Sequence, residues 1–295
     1  MSDAEAVIEA VERLANVQVL GVTSEHGTIP VMAVPKGMTL QSVKPLIDEF
    51  LSKPERAKGT ARLTTLESFI EHVDRYRSEE SVVFVSDRAG EASLLAVYDY
   101  SSTTEDADWG EHRAAYDFPM SDEWHAWNHS SPRGQEAFAQ FLEDRIDDVL
   151  DPAALREGES NGVRFAAILD MKLATPSALI ALAQGLSLSV DHKVSQRVNL
   201  TSGETQVRFQ EQHKDEAGAP VNVPGGFVVA IPVFRGGALY ELPVRLRYRV
   251  QEGKIRWTVQ LHRSDRAYEH ALREAVQKVA HSTGLATLYG QPEGR

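Results

Sequence analysis

Seven side chains between positions 99 and 129 are of the types that hold divalent metals or move protons: Asp99, Glu105, Asp108, His112, Asp117, His125 and His129. Carboxylates and imidazoles together can bind a metal ion and lower the pKa of its bound water, the route taken by many hydrolases. The spacing matches no His-Glu-x-x-His helix, no facial triad and no EF-hand loop. In so acidic a segment, carboxylates fall near a histidine by composition alone. The expectation is therefore a solvated acidic surface, with no metal, no cofactor and no catalytic residue. A metal-assisted hydrolase built on residues 99–129 stays open as an alternative.

Aromatic side chains crowd the same block: Trp109, Tyr116, Phe118, Trp124 and Trp127. Trp124 and Trp127 lie three apart and share a face if the segment is helical. Large rings with a polar edge contribute contact area at protein interfaces. They also anchor irregular segments to a chain's own core. Both readings stand, and Trp109, Tyr116, Trp124 and Trp127 are carried forward as interface candidates.

The most informative basic feature lies near the C-terminus. Arg245, Arg247 and Arg249 alternate with Val244, Leu246, Tyr248 and Val250. Beyond Glu252-Gly253, Ile255, Trp257, Val259 and Leu261 alternate with Arg256, Thr258, Gln260 and His262. Period-two alternation buries one strand face and exposes the other. Paired as a hairpin, the two strands would gather Arg245, Arg247, Arg249 and Arg256 on one side, as an interface or anion-binding set. The preferred partner is a carboxylate of a neighbouring strand or subunit; a nucleic-acid accessory role is the other reading.

Other motifs exclude more than they suggest. With no cysteine in 295 residues, disulfides, thiolate metal sites and cysteine nucleophiles are ruled out. No Gly-x-Ser-x-Gly elbow is present. Gly225-Gly226 and Gly236-Gly237 sit among β-rich runs with no helix following, so they read as turns or bulges rather than phosphate cradles. Net charge is −12, and it is uneven: residues 201–295 carry thirteen Lys/Arg against ten Asp/Glu, while the first two hundred are strongly acidic. Nucleic acid and anionic membranes are repelled by that acidic portion. The acidic start, Met1-Ser2-Asp3-Ala4-Glu5, is unlike a secretory leader, and the expected location is the cytoplasm.

The elements that must position these residues follow from periodicity and caps. Asp3–Asn16 and Leu40–Leu51 read as amphipathic helices, and Val17–Thr23 and Thr28–Val34 as strands around Glu25-His26-Gly27. Thr64 and Glu67 form a capping box ahead of the stripe Leu66, Phe69, Ile70, Val73 and Tyr76. Ser81–Val85 and Leu94–Tyr100 read as strands. Ser121 caps a helix through Trp127, and Gln135–Val149 is a helix with Phe138, Phe141, Leu142, Ile146 and Val149 inward. Asp151–Gly162 is the expected boundary between an acidic N-terminal α/β portion (1–150) and a C-terminal sheet with flanking helices (163–290), or a seam within one fused body. Thr175-Pro176 opens a helix toward Val190, Lys193–His262 is a strand meander, and Ser264 or Asp265 starts a last helix that ends near Gly284. The fold class is α+β, an antiparallel sheet flanked by helices with an N-terminal helix-and-strand portion.

Several phrases resemble a known family. They are Leu66-Glu67-Ser68-Phe69-Ile70, Tyr98-Asp99-Tyr100, the Trp109…His112…Tyr116…Trp124…Trp127 block, Phe138-Ala139-Gln140-Phe141-Leu142-Glu143-Asp144, Phe227–Phe234 and Arg245–Arg249. In this order, from about Pro54 to Gly290, they resemble the uncharacterised phage and prophage family DUF2303. The resemblance implies a phage or prophage product acting inside a bacterial host cell, and it implies no catalytic residues. The function expected is non-enzymatic: a homo-oligomer acting through protein interfaces, with itself or with another phage or host protein. Nucleic acid ranks below these partners, and a membrane is not expected.

Overall fold

The computed structural model describes residues 18–24, 27–33, 51–54, 56–88, 90–100, 108–156, 160–185, 194–198, 205–209, 221–251 and 254–293. The helices expected at Asp3–Asn16 and Leu40–Leu51 lie outside the described residues. The chain falls into two compact units, Met1–Ala57 and Lys58–Arg295. In the first, β1 (Gln18–Ser24) and β2 (Gly27–Ala33) pair antiparallel, Gln18 opposite Ala33, as the two β-rich runs predict.

The second unit carries the α+β architecture. One five-stranded sheet has the order β15-β4-β5-β6-β3, with β3 (Gly59–Leu63), β4 (Val82–Arg88), β5 (Glu91–Val97), β6 (His112–Asp117) and β15 (Ala286–Tyr289). Its two outer pairings, β15 with β4 and β3 with β6, are parallel, so this sheet is mixed. The other has the order β7-β14-β13-β12-β8 and is antiparallel throughout. It comprises β7 (Arg133–Gly134), β8 (Val149–Leu150), β12 (Gly226–Pro232), β13 (Leu239–Gln251) and β14 (Lys254–Leu261). A third, three-stranded sheet joins β9 (Val194–Val198), β10 (Thr205–Phe209) and β11 (Val221–Val223). Strands from either side of Asp151–Gly162 pair with each other: β15 lies on β4, and β7 and β8 flank β14 and β12.

Caps decide where the helices begin. Helix α1 (Leu66–Tyr76) is capped by Thr65, whose hydroxyl accepts from Ser68 N–H at 3.2 Å. The cap is thus one residue later than the Thr64–Glu67 box predicts. Glu67 becomes the second helical residue, and its carboxylate takes Lys278 Nζ at 2.8 Å instead of closing a box. Helix α2 (Asp122–Asn128) is capped by Ser121, accepting from Trp124 N–H at 2.9 Å. Helix α3 (Gln135–Glu143) stops short of Val149, because Val149 and Leu150 pair with Val229 and Val228 of β12. Helix α4 (Asn161–Ile168), capped by Ser160, begins at the end of the expected boundary Asp151–Gly162. Thr175 caps α5 (Pro176–Gly185) through Ala178 N–H at 3.1 Å. Helix α6 (Ser264–Thr283) starts after Arg263 and ends on Gly284, both left-handed, with φ of 55° and 67°.

The core sits on the sheets' covered faces. Phe69 and Val73 of α1 pack with Tyr116, Leu94 and Ala96 of the mixed sheet. On the antiparallel sheet, Phe138 of α3 stacks on Trp257, centroids 4.8 Å apart and planes 15° from parallel. Trp127 of α2 meets Phe141 and Phe227 edge-on. Each such fully buried large apolar side chain contributes roughly 1.5–3 kcal/mol through area removed from water. Among the described residues, no helix is long and apolar enough to cross a membrane.

Candidate functional site

The β13–β14 hairpin forms with Arg245 opposite Gln260, Arg247 opposite Thr258 and Arg249 opposite Arg256. Directly opposed residues of an antiparallel pair share a face, so the four arginines lie on one side of the sheet. Val244, Leu246, Tyr248, Trp257, Val259 and Leu261 are buried on the other. Arg247, Arg249 and Arg256 are exposed and Arg245 is half-buried. Like charges directly opposed in a sheet are destabilising, and here Arg249 faces Arg256. Among the described residues, none of the four guanidinium groups forms a salt bridge with a carboxylate.

Helix α4 covers one end of this face. Gly162 N–H donates to Glu241 Oε1 at 2.9 Å, and the Ser160 hydroxyl donates to the same oxygen. A carboxylate at a helix N-terminus is favoured by the unpaired amides and their dipoles. Glycine is required for the fit: a Cβ at 162 would stand 2.3 Å from Val228 Cγ2. Docked in this way, α4 sets Phe165 against the Arg245 guanidinium, 5.4 Å from the ring centroid, and against His262, 4.5 Å between rings. Arg245 Nε is buried without a hydrogen-bond partner. Burial, and then the charges of Arg245 and Arg263, hold the His262 imidazole below its ordinary pKa. Phe165 and His262 go unselected by sequence reasoning. The available signal was Ser160 three residues before Val163, a helix start hidden in a segment that reads as a linker.

The aromatic block divides. Tyr116, Trp124 and Trp127, expected at an interface, lie in the chain's own core at 3 %, 5 % and 0 % exposure, whereas Trp109 is 60 % exposed. The reason is local: Trp124 and Trp127 share one face of α2, and that face seats on β12 and β14. Trp127 Nε1 donates to Asp148 at 2.7 Å, satisfying its polar edge internally.

The family model described as "Uncharacterized conserved protein (DUF2303)" matches residues 1–292. The chain belongs to the DUF2303 family. No curated protein and no solved structure matches it.

In this DUF2303 chain the acidic and histidine residues of 99–129 are dispersed. Asp99 accepts from the backbone amides of Glu111 and His112, both at 3.0 Å. His112 packs by its ring against Tyr98 and Tyr76, centroids 4.6 and 5.3 Å away. Asp117 is exposed at the end of β6, His125 is exposed on α2 and His129 is exposed at the C-cap of that helix, and Glu105 lies outside the described residues. No group of three metal-ligating side chains occurs among the described residues. His72, which the sequence does not single out, joins His112 around Tyr98, with Nδ1 2.7 Å from the Tyr98 hydroxyl. Burial, followed by His112 and Arg75, pushes the His72 pKa down.

Proposed function

We propose that this DUF2303 protein is a phage- or prophage-encoded, non-enzymatic component of the host cytoplasm that self-associates through the arginine face of β13–β14. The observation that supports this reading is the register placing Arg249 opposite Arg256 beside Arg247, with no carboxylate paired to them among the described residues. Among the described residues these opposed like charges are uncompensated. They become favourable when a second surface supplies carboxylates, since guanidinium groups take carboxylates in two-point hydrogen bonds. This chain carries 43 Asp/Glu against 31 Lys/Arg, so a second copy offers that surface. Closed symmetric homomers are the common outcome of such self-complementarity.

Native mass spectrometry of the untagged chain should give a multiple of 32.6 kDa. Arg247→Glu should shift that mass toward the single chain while leaving tryptophan fluorescence unchanged. Anisotropy with a DNA oligonucleotide at two salt concentrations separates the polyanion reading. If Arg247→Glu assembles normally but loses salt-sensitive DNA binding, self-association through this face is wrong.

A further inference from the structure

A cavity of about 390 Å³ opens where α1, α6 and the β12–β13 connection meet. Small-molecule sites occupy roughly 300–1,000 Å³, so the space suits a compact ligand. Its floor is aromatic: Tyr116, Phe118 and Phe234 follow one another with centroids 4.9 and 4.8 Å apart. Ala271 and Ala275 of α6 form an apolar wall, and the small side chains there are what leaves the space open. The opposite wall is pinned by the backbone. Arg235 N–H donates to Pro119 O at 2.8 Å, Ser121 N–H to Val233 O at 3.0 Å, and Gly237 N–H to Phe234 O at 2.9 Å. Gly236 takes φ +73° to make that turn.

The polar side chains at the rim are engaged with one another. Lys278 Nζ binds Glu67 Oε1 at 2.8 Å, the Tyr240 hydroxyl donates to Glu274, and Arg235 reaches Asp122 at 3.3 Å. The N-terminus of α1 is capped by Thr65, whose hydroxyl accepts from Ser68 N–H. On the aromatic floor, the Tyr116 hydroxyl stays open. Tyr116 is 3 % exposed, lines the cavity, and among the described residues its hydroxyl makes no hydrogen bond. Burial, and then the Glu67 carboxylate, push the Tyr116 pKa up, so it remains a phenol and a donor. The hydroxyl faces the cavity rather than being sealed in the core, so it is free to donate to an acceptor on a bound ligand.

We propose that this cavity binds an uncharged, planar aromatic molecule about the size of a substituted bicyclic ring, whose carbonyl or ring-nitrogen acceptor takes a hydrogen bond from Tyr116. The aromatic floor supplies the stacking surface, and the rim cations Lys278 and Arg235 already hold carboxylates, which leaves nothing to attract an anionic ligand. The site is independent of the arginine face.

The probe is prodan (propionyl-dimethylaminonaphthalene), an uncharged bicyclic aromatic ketone whose emission shifts to the blue in an apolar site, titrated into the full chain. Saturable one-to-one binding is expected. Tyr116→Phe should weaken it about three- to tenfold, the loss of one hydrogen bond. Ala275→Phe fills the wall, and Ala238→Trp, on the exposed connection, obstructs the mouth without touching the core; both should abolish saturation. Absence of saturable binding to the wild-type chain overturns the proposal. So does equal binding to Ala238→Trp with an unchanged melting temperature, because the probe then sits elsewhere. Unchanged affinity in Tyr116→Phe removes the hydrogen-bond assignment and with it the ligand class.

Discussion

Replacing Gly162 by alanine sets two effects of opposite sign against each other. In a helix, alanine is favoured over glycine by about 1 kcal/mol. At this position, however, the new Cβ would stand 2.3 Å from Cγ2 and 3.3 Å from Cγ1 of Val228, and 3.2 Å from Glu241 Oε1. Val228 is fully buried under α4 and cannot turn away. Forcing an extra carbon into a filled interior costs about 1–3 kcal/mol. The overpacking term wins, and the expected result is a net loss of about 1 kcal/mol. Val228→Ala alone removes two buried carbons, a loss of about 1.6 kcal/mol. In the double variant, the methyl added at position 162 enters the vacated space, so the two losses should fall short of adding by about 1–2 kcal/mol. Urea unfolding followed by tryptophan fluorescence measures this cleanly, because Trp109, Trp124, Trp127 and Trp257 all belong to the unit 58–295. A stabilising Gly162→Ala, or strict additivity with Val228→Ala, would falsify the account of how α4 seats on the sheet.

Trp127→Phe keeps the ring contacts with Phe141 and Phe227 but removes the indole donor to Asp148, a carboxyl already pushed up in pKa by burial. A loss of about 1–2 kcal/mol in urea unfolding is expected, with the Asp148 pKa rising further by NMR; a neutral substitution contradicts the bond. His262 should titrate below its ordinary value of 6.5. A depressed folded-state pKa means that the folded chain binds fewer protons, so the associated stability is complete above 6.5 and is lost as pH falls through the folded value. Arg245→Gln should move the His262 midpoint upward in an NMR titration, only partly, since burial is the larger cause; an unmoved midpoint removes Arg245 from the account.

Elements defined by near neighbours were legible in the residues themselves. Ser121 before Trp124, and Thr175 before Pro176, cap helices because a side-chain oxygen meets an amide three residues on, which involves no distant part of the chain. Alternation in Val244–Val250 and Ile255–Leu261 dictates two strands with arginines on one side of each. The antiparallel register then follows from the short connection between them. For α1, the Thr64–Glu67 box points to Thr64, but the helix is capped one residue later. The choice of Thr65 places Glu67 within reach of Lys278, more than two hundred residues away. Strands β7, β8 and β15 have two to four residues each, too few to show a period, and they are strands only because β14, β12 and β4 lie beside them. The fate of the tryptophans was likewise tertiary: three-residue spacing says that Trp124 and Trp127 share a face, but not whether that face meets β12 and β14 or a partner. Composition and local pattern therefore determined the α+β class, the caps and the arginine row. The cavity walls, the docking of α4 and the burial of the aromatic block come from residues far apart in the chain, brought together by shape and burial that no local window contains.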